Sequence, residues 1–149
     1  PEQMRIFAAV QADGYFRYSS GYFKGLTFTF TKERKLLRLR RLLRELSINF
    51  REYVCAAYPG RIEVHIVKRD LPDWLDAAKK VFGPWLLDTT PAGLAALVDE
   101  VEYWDGSAHQ DGGVCYVSSI EENVTWVVTA AALVGRKASQ HQRNADGMH

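Results

Sequence analysis

The sequence predicts an α+β domain in which a helix–strand–strand–helix–strand–strand–helix unit is followed by a shorter copy of itself. Three observations carry that expectation. An apolar stretch ending in Asp-Gly occurs twice, as Ile6-Phe7-Ala8-Ala9-Val10-Gln11-Ala12-Asp13-Gly14 and as the run from Leu94 to Asp105-Gly106. Two segments alternate apolar and polar residues with the period of a half-buried strand: Leu26, Phe28 and Phe30 against Thr27, Thr29 and Thr31, and Ile62, Val64 and Ile66 against Arg61, Glu63 and His65. Between them Leu36, Leu39, Leu43 and Leu46 recur at helical spacing.

Residues 4–13 read as a short helix with Ala8, Ala9 and Ala12 as small packing residues, and Gly14 reads as its stop signal. Residues 15–31 read as a hairpin turning at Ser19-Ser20-Gly21. Residues 32–46 form the strongest helix prediction. Its apolar stripe is opposed by Lys32, Arg34, Lys35, Arg38, Arg40, Arg41 and Arg44, which serve either as a solvated helix back or as a surface for a nucleic acid or partner. Strands at 50–58 and 61–68 flank a Pro59-Gly60 turn. A helix over 71–82 follows, with Pro72 and Asp73 in its first turn, broken at Gly83-Pro84-Trp85.

The order then restarts. Thr90 caps a helix beginning at Pro91 and running to about Trp104. A second hairpin spans 107–119 with Asp111-Gly112-Gly113 as its turn, and a last helix covers 120–134. The expected organisation is one domain, with a first repeat at about 4–82, a truncated second repeat at about 90–135 lacking its second strand pair, and a polar tail at 136–149.

The chain has 149 residues, 47% hydrophobic and 25% charged, which suits one globular domain with a real core. No apolar run approaches the ~20 residues of a membrane span, and Arg5 and Gln11 interrupt the only apolar stretch near the N-terminus, so no secretory signal is expected. Cys55 and Cys115 therefore read as reduced thiols of a cytoplasmic protein rather than a disulfide or metal pair, and the Asn123-Val124-Thr125 sequon reads as chance. The net charge of +1 hides an asymmetry: residues 1–70 carry 14 Lys/Arg against 7 Asp/Glu, and residues 71–149 carry 5 against 11. The first part suits a polyanion and the second does not. Two carboxylates, Asp13 and Asp105, each close a helix before a strand-like segment, and such a pair brought together is a divalent-metal site in outline.

The residues resemble the LAGLIDADG homing endonucleases, of the DOD type embedded in inteins. The resemblance rests on Ala12-Asp13-Gly14-Tyr15-Phe16, on the stretch at 30–35 entering the basic helix, and on Trp104-Asp105-Gly106-Ser107. It also rests on the Tyr116-Val117-Ser118-Ser119 strand leading to Asn123 and on Ala132-Leu133-Val134-Gly135. It covers about residues 3–137. It implies motif helices packed at a pseudo-twofold axis and a sheet saddle on double-stranded DNA. The implied activity is site-specific cleavage of both strands with Mg²⁺. Asp13 and Asp105 become the metal-binding acids, and the carbonyls of Ala12 and Trp104 further ligands. Lys68, at a strand end, becomes a basic residue near the phosphate or an ordinary strand-end lysine. Arg17, Lys24, Thr27, Thr29, Arg51, Arg61 and His65 become DNA contacts. Trp74, Trp85 and Trp126 read as core.

The chain departs from the family pattern. Val10-Gln11 replaces apolar and acidic residues in the first motif helix, and Asp99, Glu100 and Glu102 replace much of the small apolar face of the second. Glu100 or Glu102 is also a competitor of Asp105 for the second acid. Pro1 is no splicing nucleophile and Met148-His149 is no splicing end, so the expectation is an insert excised from an intein, or a decayed or repurposed domain, with pairing to a second copy as a way to complete the sheets. The alternatives are a catalytically silent DNA- or RNA-binding domain of the same fold and an α+β protein-interaction domain.

Overall fold

Seven of the first eleven residues are almost fully buried, so the first helix belongs in the middle of the molecule. The computed structural model describes residues 1–108, 114–116 and 118–136, of which residues 105–108, 114 and 115 are described by their backbone alone. In it α1 (Glu2–Asp13) buries Met4, Ile6, Phe7, Ala8, Ala9, Val10 and Gln11. Near-consecutive buried positions mean a helix covered on every side rather than an amphipathic surface helix.

After α1 the chain enters a four-stranded sheet made of β1 (Gly14–Ser19), β2 (Tyr22–Phe30), β3 (Arg51–Val54) and β4 (Ile62–Val67). The strand order is β1-β2-β4-β3, with antiparallel pairing throughout. Gly14 is not a left-handed helix stop: its φ of −81° and ψ of 148° carry the helix straight into β1. The glycine is required by space, because a Cβ there would lie 2.8 Å from the Val10 carbonyl oxygen. The hairpin turns on Ser20 and Gly21, both at positive φ (52° and 81°), the conformation that matches the twist of two-residue hairpins.

Alternation along the strands sorts the side chains onto two faces. Phe16, Leu26, Phe28, Phe30, Val64 and Ile66 point inward and are buried. The inner face is covered by α1 and by α2 (Glu33–Glu45), whose buried Leu36, Leu39, Leu42 and Leu43 include three of the four periodic leucines, the fourth, Leu46, being partly buried just past the helix. Each of these large side chains contributes roughly 1.5–3 kcal/mol by leaving water.

The expected helix over 71–82 does not form. The segment instead makes 3₁₀ turns at Ala77–Lys80 and Pro84–Asp88. Asp76 is the physical reason at its centre: its Oδ1 accepts the backbone N–H of Ala78 at 3.1 Å, a local bond that competes with helical pairing. Leu75, Phe82 and Leu86 still reach the core. Trp74 and Trp85 meet Phe7 edge-on with ring centres 5.7 and 4.9 Å apart, which seats them as the packing residues expected, and Trp126 is partly buried against the core.

Helix α3 (Pro91–Asp105) opens with the predicted cap, Thr90 Oγ1 accepting the Gly93 N–H at 3.0 Å. It leads into β5 (Gly106–Ala108), which pairs antiparallel with β6 (Val114–Tyr116), and then α4 (Glu121–Leu133). The Asp111-Gly112-Gly113 turn and the tail beyond Arg136 lie outside the described residues. The architecture is thus mixed α+β: among the described residues, four α-helices, one four-stranded antiparallel sheet and one short hairpin. Helix α4 is tied back by Asn123, whose buried Oδ1 accepts the Phe82 N–H at 2.8 Å, so the sequon asparagine is a core group.

The short edge strand β3 is held by a bidentate pair in which Arg40 of α2 donates twice to Glu52, both at 2.6 Å. This hydrogen-bonded guanidinium pulls the Glu52 carboxyl below its ordinary value. A depressed carboxyl stabilises the fold above its unfolded pKa of about 4.3 and loses that contribution as pH falls through the folded value. Stability therefore drops as pH falls below about 4.3. Glu52→Gln should flatten that part of the profile in urea titrations and cost about 0.5–1 kcal/mol at neutral pH, because the pair is partly exposed.

Candidate functional site

Helices α1 and α3 lie side by side and point the same way. At their starts, the missing Cβ of Gly93 leaves room for Met4, whose Cγ would sit 3.2 Å from it. At their ends, one side chain bridges both: Lys35, in the first turn of α2, places its Nζ 2.9 Å from Asp13 Oδ2 and 5.8 Å from the centre of the Trp104 ring. Asp105, one residue beyond Trp104, closes α3 as Asp13 closes α1. Its side chain lies outside the described residues.

Aligned peptide dipoles make a helix C-terminus electronegative. Here a second ammonium answers that charge: Lys80 donates from Nζ to the carbonyls of Val10 and Gln11, both at 2.9 Å. The resemblance offered Lys68 as a basic residue near the phosphate, beside the reading of an ordinary strand-end lysine. Lys68 stands exposed just past β4, beyond Val67, which pairs with Gly25, whereas Gly14 pairs with Phe28. That register sets Lys68 about four strand positions, or roughly 13 Å, along the sheet from the end of α1. Lys80 is brought there because the 3₁₀ turn at Ala77–Lys80 packs on α1, a placement that no local pattern announces.

The acids on α3 are also sorted. Glu100, fully buried, accepts two hydrogen bonds from Arg38, at 2.9 and 2.6 Å, and one from Trp104 Nε1 at 3.0 Å, with Arg5 Nε 3.7 Å away. It is a structural anion joining α1, α2 and α3, and all of its near neighbours are donors. The same bonds raise the Arg38 pKa above its ordinary value. Asp99 faces outward and pairs with Arg136 at 2.6 Å. With Glu100 paired inward and Asp99 turned outward, α3 packs along α1. Ala12 is half-buried against the core, and Tyr116 ties β6 to α1 by donating to Gln11 Oε1 at 2.9 Å. Among the described residues no three His, Cys, Asp or Glu side chains form a metal cluster, and Cys55 is a free thiol.

The outer face of the sheet carries the other candidates. The register lines up Tyr15, Thr27, His65 and Arg51 in one row across all four strands, and Thr29, Glu63 and Tyr53 in the next. Arg17 lies over Gly25, where a Cβ would be 3.2 Å from its guanidinium and 2.2 Å from the Ile66 oxygen. Only glycine fits there, and its φ of 150° also excludes other residues. Thr29 and Arg51 are exposed, and His65 packs edge-on against Tyr53 at 4.9 Å with Glu63 at 3.3 Å from its Nε2. Thr27, in the middle of the first row, is buried and so is not presented to a partner. Lys24 is exposed near the hairpin end, and Arg61 stacks on Tyr58 at 4.3 Å, outside the strand rows. Sequence reasoning missed the aromatic part of this surface. Tyr15, Tyr18, Tyr22 and Tyr53 are exposed, and the β1 and β3 alternation is the signal that finds Tyr15 and Tyr53.

Much of the basic face of α2 is engaged within the molecule. Lys35, Arg38, Arg40 and Arg41 pair with Asp13, Glu100, Glu52 and Glu45, and Arg34 donates to the Tyr103 carbonyl at 3.0 Å. Exposed positive charge remains at Lys32, Arg34, Arg41 and Arg44 on this helix and at Lys24 and Arg51 on the sheet. None of the helices among the described residues is long and apolar enough to cross a membrane. No protein-family model matches the chain, and no curated protein matches it.

Proposed function

We propose that the chain is a LAGLIDADG-type domain that binds double-stranded DNA on the outer face of its sheet and cleaves it with Mg²⁺ at the paired ends of α1 and α3. The observation that supports this most is the parallel packing of α1 and α3, with Lys35 touching both ends, so that two Asp-Gly phrases remote in sequence close neighbouring helices. The donor chemistry fits a hard cation. Asp13 offers a carboxylate that already holds one cation, and the adjoining carbonyls hold another. Asp13 and Asp105 would hold the metal, with the Ala12 and Trp104 carbonyls beside them. The metal would supply Lewis-acid polarisation of the phosphate and a more acidic bound water.

The chain's own residues do the rest. Arg17, Thr29, Arg51 and His65 present donors to phosphates and base edges along the sheet, and the exposed tyrosines offer flat apolar contact beside them. Lys80 offsets the negative end of α1, which would otherwise repel a phosphate. A catalytically silent nucleic-acid-binding domain is the second reading, favoured by one observation: the Asp13 carboxylate is already neutralised by Lys35.

The test is binding and cutting of a randomised duplex pool. The logarithm of affinity should fall linearly with the logarithm of salt concentration, and Arg17→Ala with Arg51→Ala should lower that slope by about two. Mg²⁺ should yield duplex ends with short 3′ overhangs. Salt-dependent binding without any cleavage in Mg²⁺ or Mn²⁺ selects the silent domain, and no duplex binding at low salt removes both.

A further inference from the structure

We infer that Lys35 is an internal counter-ion that a divalent cation must displace from Asp13, so that Lys35 sets how tightly this chain takes its metal. The inference rests on the proposal that Asp13 is a metal ligand. Lys35 belongs to the first turn of α2 and reaches across the molecule to the end of α1, 22 residues away in sequence. The pair is shielded, with 13% of the lysine side chain and 25% of the carboxylate side chain exposed, so water and salt weaken it less than a surface pair. A magnesium-like ion sits about 2.1 Å from its oxygen ligands. The Lys35 ammonium already stands 2.9 Å from Oδ2. A metal ion taking Oδ2 would meet the Lys35 ammonium on that same oxygen and be repelled by it, so the ammonium must give way there.

Two features make Lys35 the group that moves. The Trp104 ring, 5.8 Å from Nζ, offers the displaced ammonium a second favourable position without a change in helix packing. Lys80 adds to this, since its ammonium also answers the backbone carbonyls of Val10 and Gln11. The helix end therefore stays balanced when Lys35 withdraws. A resident ammonium also keeps Asp13 paired when no metal is bound, which protects the junction of α1, α2 and α3 from an unpaired, partly buried anion.

The experiment is titration of the full chain with Mn²⁺ alone, without DNA, followed by calorimetry and by the paramagnetic resonance signal of the free ion. Lys35→Met and Lys35→Gln should each tighten Mn²⁺ binding on the order of tenfold, and Lys35→Arg should stay within about twofold of the parent because it keeps the charge. Adding Asp13→Asn to either neutral variant should remove the gain. The glutamine variant keeps a polar group of similar reach, and thermal melts report whether each variant is folded. If the folded neutral variants bind Mn²⁺ no more tightly than the parent while Asp13→Asn still weakens binding, Asp13 is a ligand and Lys35 is not its competitor. If Asp13→Asn changes Mn²⁺ binding in no background, Asp13 is not a metal ligand and the inference falls with it.

Discussion

Asp13→Asn is expected to lower Mg²⁺-dependent strand cleavage by on the order of 10³-fold or more, since several kcal/mol of metal-borne charge stabilisation is removed and each 1.4 kcal/mol is tenfold. Duplex binding should hold within a few-fold or tighten slightly. The amide matches the carboxylate in shape, so the turn into Gly14 and β1 is kept. The substitution removes one negative charge at the end of α1 and leaves the Lys35 ammonium without its partner, and both changes make that region more positive toward a phosphate. Loss of cleavage with retained binding, measured on one duplex in parallel, is the expected result. Cleavage that survives would show that Asp13 is not the acid of the reaction.

Glu100→Ala is expected to be the most destabilising single change on α3, at about 3–5 kcal/mol. The carboxylate is fully buried and accepts hydrogen bonds from Arg38 and from Trp104 Nε1. Its removal leaves a guanidinium and an indole N–H facing a cavity, and the α2–α3 contact opens. Glu100→Gln should cost less, because the amide keeps an acceptor for Trp104 while losing the charged bidentate pair. Urea denaturation of the three proteins at neutral pH orders them. The same series bears on function, since Arg38 and Trp104 flank the position of Lys35: a folded Glu100→Gln variant should cleave less well in proportion to the looser helix ends, with its duplex affinity unchanged.

Much of the fold is legible along the chain because its signals are local. The Leu26–Phe30 and Ile62–Ile66 alternations, the leucine stripe of α2, the Ser20-Gly21 turn and the Thr90 cap each involve residues within a few positions of one another. The expected helix over 71–82 failed for a local reason as well. Turn-forming Asp and Pro residues crowd its start, and the Asp76 side chain captures a backbone N–H there. The candidate site was half legible: Asp13 and the polar sheet residues could be named, but not the company they keep. Glu100 looked like a defect in a small-residue helix face, and the arginine that makes it a structural anion lies 62 residues earlier.

The sequence by itself determined where most of the helices and strands run, that two carboxylates close two helices, and that positive charge gathers in the first part of the chain. Only the tertiary structure decided what that charge is for. Packing α2 beside α1, α3 and β3 turned Lys35, Arg38 and Arg40 onto Asp13, Glu100 and Glu52, and left Lys24 and Arg51 of the sheet exposed. The reason is that periodicity reports which face of an element is apolar, whereas the partner of a charged side chain is set by whichever element packs against it.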